Sequence, residues 1–398
     1  MPGVTKRIYN REIQDILHMW NLQLKLVYAI LPKNYSFPDI ANALKEYFPH
    51  EWDSVEIKHI YYTKKDECLQ KRFHKARYNM PPAEKLLTRA SQYKIIMDPA
   101  FRKKHADDYS EDRVIEEKNN LFKLRNHKIQ RINNKINKAK EKVQQVTPKY
   151  IDQLIGLYER KRTSQKDKVY ILAELKKYYS PPIIQFFFKL NDTELNKQLR
   201  EEAFFHLQSF NYQPRLRKQK YMRIHTKSKK RKEYLKEIYP FEKFIIKQTP
   251  QELEYRIANS REQKIKKYDF FISHSYKDRE EVQKLISYEN NTGKDIFCDW
   301  INDYDYLKRH LVCDSTLRVI EMRLKQSDAL LFVLSDNSKN SVWCKYELNY
   351  FYNLGKPIYI IDFNDLENNN FCIQREYATW FLDDNYKELV IAEAKKIV

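Results

Sequence analysis

The sequence predicts a parallel, doubly wound α/β sheet in its last third, preceded by a mainly α-helical region. Three observations predict it. After Lys267, apolar runs of strand length alternate with amphipathic helical stretches. Those runs are continuous rather than alternating, as expected for strands buried on both faces. Gly293 and Gly355 fall where helices must turn into strands.

Residues 1 to 110 read as mainly helical and aromatic-rich. Trp20, Leu22, Leu24, Leu26, Tyr28 and Leu31 fit helix and strand spacing alike, and Pro81-Pro82 and Asp98-Pro99 are the clear breaks. No chemistry is assigned to this stretch. Residues 111 to 262 form a helical, basic region. Ile115, Phe122, Ile129, Ile136 and Val143 recur every seventh residue and predict a long helix over 112–146, closed by Thr147-Pro148. Ile132, Ala139 and Val146 sit three positions on, but Lys118 and Arg125 occupy the earlier companion positions. One amphipathic helix packed in its own domain and a self-association seam both fit. A helical pair follows over 181–210, with its turn at Asn191-Asp192; Leu199 to Leu207 resembles the second helix of HEAT-type repeats, although only one pair is visible.

The most basic stretch runs from 215 to 236. Arg215, Arg217, Lys218, Lys220, Arg223, Lys229, Lys230, Arg231 and Lys232 are its candidate contacts to nucleic acid or another acidic partner, with Tyr221 and Tyr234 interleaved for base stacking. A solvated charge run fits equally well. A helical linker, Glu252 to Lys267, leads into the final domain, residues 266–398.

Its strands are expected at Tyr268–Ser273, Asp295–Trp300, Ala329–Leu334 and Ile358–Asp362. Val282, Leu285 and Ile286 mark the first intervening helix, Leu317, Ile320 and Leu324 the second, and the third carries Trp343. In such a fold, ligands bind beyond the carboxyl ends of the strands. Ser273-His274-Ser275, Asp299-Trp300 and Ser335-Asp336 are therefore expected to converge there. Trp343, Glu347, Tyr350 and Leu354 share one helix face, which turns a carboxylate inward among apolar neighbours. An ionised acid in that position is costly unless it has a partner or a task.

Composition narrows the function further. The chain has 398 residues, 42% hydrophobic, so it can bury more than one core. Only 4 glycines are present, which excludes Gly-rich dinucleotide, Walker and kinase phosphate loops. Cys68, Cys298, Cys313, Cys344 and Cys372 are dispersed without a Cys-x-x-Cys pair, so neither a disulfide framework nor a metal site is expected. No run approaches a spanning helix or a signal peptide, which makes no membrane association and a cytoplasmic location the expectation. Residues 268–398 hold 16 Lys+Arg and 22 Asp+Glu, against 58 and 32 before them, so the +20 net charge belongs to the first two thirds. That asymmetry points to segments with different partners.

Three blocks carry a family resemblance: Asp269-Phe270-Phe271-Ile272-Ser273-His274-Ser275 with Lys277-Asp278, then Phe297-Cys298-Asp299, then Ser341-x-Trp343-Cys344-x-x-Glu347. Together they resemble a Toll/interleukin-1 receptor (TIR) domain of the bacterial enzymatic kind, an α/β flavodoxin-like fold, over roughly 266–398. Catalytic members split the nicotinamide–ribose bond of NAD+, and the family's catalytic Glu maps onto Glu347. The resemblance implies NAD+ as substrate and no cofactor besides. Ser273, His274, Ser275, Asp299, Trp300 and Trp343 would contact the substrate. It further implies self-association through TIR domains, a bacterial anti-phage defence role, and a trigger, nucleic acid or ribonucleoprotein, sensed by the basic region. Hydrolysis and ADP-ribose cyclisation both remain open, as does a non-catalytic scaffold acting through TIR–TIR contacts. One departure stands out. The second-strand Asp is followed by Trp300-Ile301, with the next acid at Asp303, and the loop Asn302–His310 lacks the usual Gly or Pro. Cys344 beside the site reads as packing, with no sequence-adjacent His to activate it.

Overall fold

A computed structural model of the chain describes residues 4–215, 224, 226–371 and 373. The chain divides into two compact units, Met1–Asn137 with Gln208–Gln213, and Lys138–Leu207 with Pro214–Val398.

The first unit is helical: α1 Val4–Val27, α2 Phe37–Tyr47, α3 Pro49–Phe73, α4 Ala83–Leu87, α5 Ser91–Ile96, α6 Pro99–Asp107 and most of α7 Glu111–Lys140. The ambiguous stretch around Trp20 resolves as helix, because Trp20, Leu24 and Val27 are buried at helical spacing while Leu22 and Leu26 stay exposed. Local chemistry fixes the boundaries. The Ser36 N–H donates to Asp39 Oδ2 at 2.8 Å at the start of α2. After α3, the Asp66 carboxylate accepts backbone N–H bonds from Arg77 (2.7 Å), Tyr78 (2.9 Å) and Asn79 (2.6 Å), tying down the return loop. Arg125, which interrupts the seven-residue repeat, is an anchor. Its Nη2 meets Glu51 Oε1 at 2.7 Å, its Nε donates to the Tyr47 carbonyl at 2.9 Å, and its guanidinium lies 4.2 Å from the Phe48 ring centroid.

The long helix was expected to reach residue 146 but stops at Lys140. Gln144 leaves it to pair with a neighbouring segment: its N–H donates to the Lys177 carbonyl at 2.9 Å and its carbonyl accepts from Tyr179 N at 2.8 Å. Two long-range backbone bonds there replace the last helical turn.

The second unit opens with α8 Ile151–Glu159, α9 Gln165–Leu175, α10 Pro181–Thr193, α11 Lys197–Ser209, α12 Lys229–Glu237, α13 Pro250–Asn259 and α14 Arg261–Lys264. The turn of the α10–α11 pair falls at 194–196 rather than at Asn191-Asp192. Asn196 Oδ1 accepts from Leu199 N at 3.1 Å and caps α11, while Asn191 is buried and donates to the Arg215 carbonyl at 2.9 Å.

The sheet follows: β1 Tyr268–Ser273, α15 Arg279–Asn291, β2 Ile296–Phe297, α16 Asp299–Asn302, α17 Asp314–Gln326, β3 Ser327–Leu334, α18 Asp336–Lys339, α19 Val342–Asn353, β4 Ile358–Asp362 and α20 Phe363–Glu367. All pairings are parallel and the order is β2-β1-β3-β4, with Phe270 opposite Ile296, Ser273 opposite Phe332 and Leu334 opposite Asp362. Phe271, Phe297 and Phe332 pack on one face against α17 and α19. Phe270, Ile272 and Leu331 pack on the other against α15 and α20. Two buried faces explain why these strands read as unbroken apolar runs. Gly293 (φ 86°) and Gly355 (φ 67°) supply the left-handed residue after α15 and α19.

One strand is corrected. The expected strand Asp295–Trp300 contracts to Ile296–Phe297, and Asp299-Trp300 open α16 instead. Side chains cap this edge strand. Gln144 Nε2 donates to the Ile296 carbonyl, and Asn302 Oδ1 accepts from Cys298 N at 2.8 Å and from Gln144 Nε2 at 3.1 Å. Below this edge lies a buried ionic cluster. Arg323 grips Asp303 with Nε–Oδ2 at 2.7 Å and Nη2–Oδ1 at 3.1 Å, and Glu174 of α9 pairs with Lys266 and with Lys177 at 2.9 Å.

Candidate active site

β1 and β3 are adjacent although β2 intervenes in sequence, so the strand order reverses between them. That is where parallel α/β sheets open a crevice. Ser273 ends β1 at this point, fully buried. α19 starts nearby at Ser341, whose Oγ accepts from Cys344 N at 3.3 Å. The inward face of α19 carries Cys344, Leu348 and Phe351, and among them the carboxylate of Glu347, 7% exposed. Ser273 Oγ donates to Glu347 Oε2 at 2.6 Å. Burial pushes the Glu347 carboxyl well above the usual carboxylate range and the charge of Asp299 pushes the same way, against the Ser273 hydrogen bond.

A second pair completes the rim. Trp300 Nε1 donates to His274 Nε2 at 2.7 Å, while His274 Nδ1 lies 3.4 Å from the Ile272 carbonyl. Burial pushes the imidazole below its ordinary value, with Asp299 opposing, which suits a neutral ring accepting at Nε2. Asp299 Oδ1 accepts the Trp300 N–H at 2.8 Å. His274, Cys298 and Asp299 present ligand atoms within 4.8 Å of one another, the spacing of a metal-ligand trio. Two features of the trio oppose metal binding: Nε2 is already engaged by the indole, and burial holds the Cys298 thiol well above its ordinary value.

The structure thus brings Ser273 together with Glu347, and His274 with Trp300 and Asp299. Ser275 Oγ accepts from Lys277 N at 3.4 Å and caps the single turn Tyr276–Asp278. Trp343 is half-buried and packs against the core cluster of Cys344 and Leu348. Burial pushes the Cys344 thiol up to about 12, which leaves it a packing group. The basic set lies elsewhere. Lys229, Lys230, Arg231 and Lys232 are exposed on α12, Arg215 is half-buried, and Arg217, Lys218, Lys220 and Arg223 lie outside the described residues.

Sequence reasoning missed the latch beneath the rim. Asp278 is buried and accepts from Ser335 Oγ at 2.5 Å and Asn337 Nδ2 at 2.6 Å, joining the loop after β1 to the loop after β3. In the sequence it stands within the Lys277-Asp278 block of the resemblance and at the start of a helix, where a helix cap is the usual reading.

Residues 271–368 match the family model of the TIR-like domain of Thoeris protein ThsB. The putative cyclic ADP-D-ribose synthase TIR2 of Cytobacillus dafuensis is 35% identical over 386 residues, 96% of this chain and 98% of that protein. The probable 3' cyclic ADP-D-ribose synthase ThsB' of Bacillus cereus (strain MSX-D12) is 33% identical over 109 residues, 27% of this chain and 55% of that protein. Human Toll-like receptor 2 is 32% identical over 83 residues, 21% of this chain and 10% of the receptor. No solved structure matches the chain. Among the described residues, no helix is long and apolar enough to cross a membrane. With its parallel four-stranded sheet, the ThsB-type match and near full-length similarity to TIR2, the chain belongs to the family of TIR-domain proteins related to Thoeris ThsB.

Proposed function

We propose that this protein cleaves the nicotinamide–ribose bond of NAD+, with Glu347 as the catalytic carboxylate. The observation that carries the reading is the buried Glu347 carboxylate, oriented by Ser273 Oγ at 2.6 Å at the reversal point of the sheet. Cleavage builds positive charge on the ribose as the C–N bond lengthens, while the pyridinium leaves as neutral nicotinamide. The leaving group therefore needs no proton, and one carboxylate suffices where glycosidases use two. A fixed negative charge in a poorly solvated site stabilises such a cation far better than it would in water. Ser273 holds the acceptor oxygen in place, and Trp300 with His274 and Asp299 forms the wall the nucleotide would contact.

Capture of the ribosyl cation by water gives ADP-ribose; capture by a nucleophile of the same molecule gives a cyclic product. The names of the two bacterial relatives as cyclic ADP-D-ribose synthases favour the second outcome. A role in Thoeris-type defence, activation by TIR–TIR assembly and trigger sensing by the basic region around α12 complete the proposal. The test is nicotinamide release from NAD+ by the full chain and by Glu347→Ala, with and without added nucleic acid, products separated by chromatography. Release by the wild type and its loss in the variant is the expected result. Full activity in Glu347→Ala would overturn the site, and no NAD+ turnover by the wild type under any clustering condition would overturn the enzyme reading.

A further inference from the structure

We infer that α7 carries a docking stripe for a second copy of this chain, paired antiparallel about a two-fold axis. The helix has two apolar stripes, and its own unit uses only one. Val114, Leu121 and Arg125 turn inward and are buried. The seven-residue series beginning at Ile115 lies beside them: Ile115 is 53% exposed, Phe122 56%, and Ile129 and Ile136 are half-buried. A large aromatic and an isoleucine left in water on a strict seven-residue period is the pattern of a helix seam awaiting its partner.

Charge selects the partner and its direction. Residues 111–118 hold four acids (Glu111, Asp112, Glu116, Glu117) and two bases, whereas 123–140 hold seven bases and no acid. A parallel pair would set the seven-base segments against each other. The antiparallel pair sets Ile115 against Ile136 and Phe122 against Ile129 of the second copy, brings Glu116 to Lys135 and Glu111 to Lys140 at each end, and confines like-charge contact along that flank to Lys123 and Lys128 at its centre. The same patch serves both copies, so the contact closes as a dimer. From Ile115 to Ile136 the seam spans about 31 Å of helix at ~1.5 Å per residue. Such a short, charge-steered interface is salt-sensitive.

The test uses the full chain in low salt. Sedimentation equilibrium is expected to show a monomer–dimer system whose dissociation constant rises at least tenfold in Phe122→Glu, with unchanged far-UV circular dichroism, and rises again with added salt. Register is read by oxidation in a Cys68→Ser background, because Cys68 is exposed. Ile115→Cys with Ile136→Cys is expected to crosslink between copies, while Ile115→Cys alone is not. A monomer at every concentration, a dimer indifferent to Phe122→Glu, or efficient crosslinking by Ile115→Cys alone would each overturn the inference.

Discussion

Among the buried carboxylates of the second unit, the ionic cluster and the candidate active site treat theirs in opposite ways. Asp303 is 0% exposed and Glu174 1%, yet both sit below the usual carboxylate range. Burial alone would raise them. The cations around them outweigh it: Arg323, Lys177 and Lys266 act on both. Glu347 is buried nearly as deeply but has a hydroxyl in place of a cation, and it stays well above the usual range. Among the described residues, the first site supplies positive charge to its acids and the second supplies a hydroxyl. A buried acid with only a neutral partner among the described residues is poised for a cation that arrives from outside, which is what the proposed ribosyl cation would be. The ionic cluster fastens α9 and the segment before β1 to the loop after β2, and Glu347 waits at the opposite end of the strands.

The largest expected effect breaks the first site. Arg323→Met leaves Asp303 buried without its guanidinium fork and should cost about 3–5 kcal/mol of stability, measured by urea unfolding. Adding Asp303→Asn should recover part of that loss. If Arg323→Met unfolds at the wild-type midpoint, the cluster is not holding the α9 segment to the sheet.

Glu347→Gln should go the other way. Removing a buried carboxyl that ionises only at a cost is expected to stabilise the protein at neutral pH by about 1–2 kcal/mol, as at sites where function opposes stability, while cleavage falls by about 10²–10³-fold. The pH dependence follows from the raised carboxyl. Its contribution to stability is present in full below the unfolded-state pKa and is lost as pH rises through the folded-state value. Wild type and variant should therefore melt alike in acid and diverge as pH increases. A variant less stable than wild type at neutral pH would mean that Glu347 is a structural acid like Glu174.

Ser273→Ala separates orientation from charge. The Ser273 hydrogen bond lowers the Glu347 pKa against the effect of burial, so losing it should move the ascending limb of kcat/KM to higher pH. An unshifted limb would show that the limb belongs to another group.

Much of this contrast was legible in the residues. The central strands announce themselves because both faces are buried, and Glu347 stands out as a carboxylate inside an apolar stripe. What was not legible depends on residues far away in sequence. The second strand ends at Phe297 because Gln144, some 150 residues earlier, covers its edge (|i−j| = 152 to Ile296). Arg125 reads as a flaw in a repeat until Glu51 and Tyr47 are placed beside it. Asp278 resembles a helix cap until Ser335 and Asn337 meet it. Local pattern records what a segment buries, while long-range side-chain bonds decide where it stops.

The smallest expected effect tests whether the rim as a whole favours neutral groups. Burial pushes Glu347 up and His274 down, so without a cationic ligand both lean toward their uncharged forms. Trp300 reinforces this on the His side, because its indole N–H occupies the lone pair of Nε2 that a proton would need. Trp300→Phe keeps the ring and removes the donor. The stability cost should be about 0.5–1.5 kcal/mol. The sharper readout is the His274 imidazole in an NMR pH titration, which should move upward once Nε2 is released, helped by the adjacent Asp299 charge. If it stays where the wild type has it, the indole is only packing, and burial alone keeps the rim neutral.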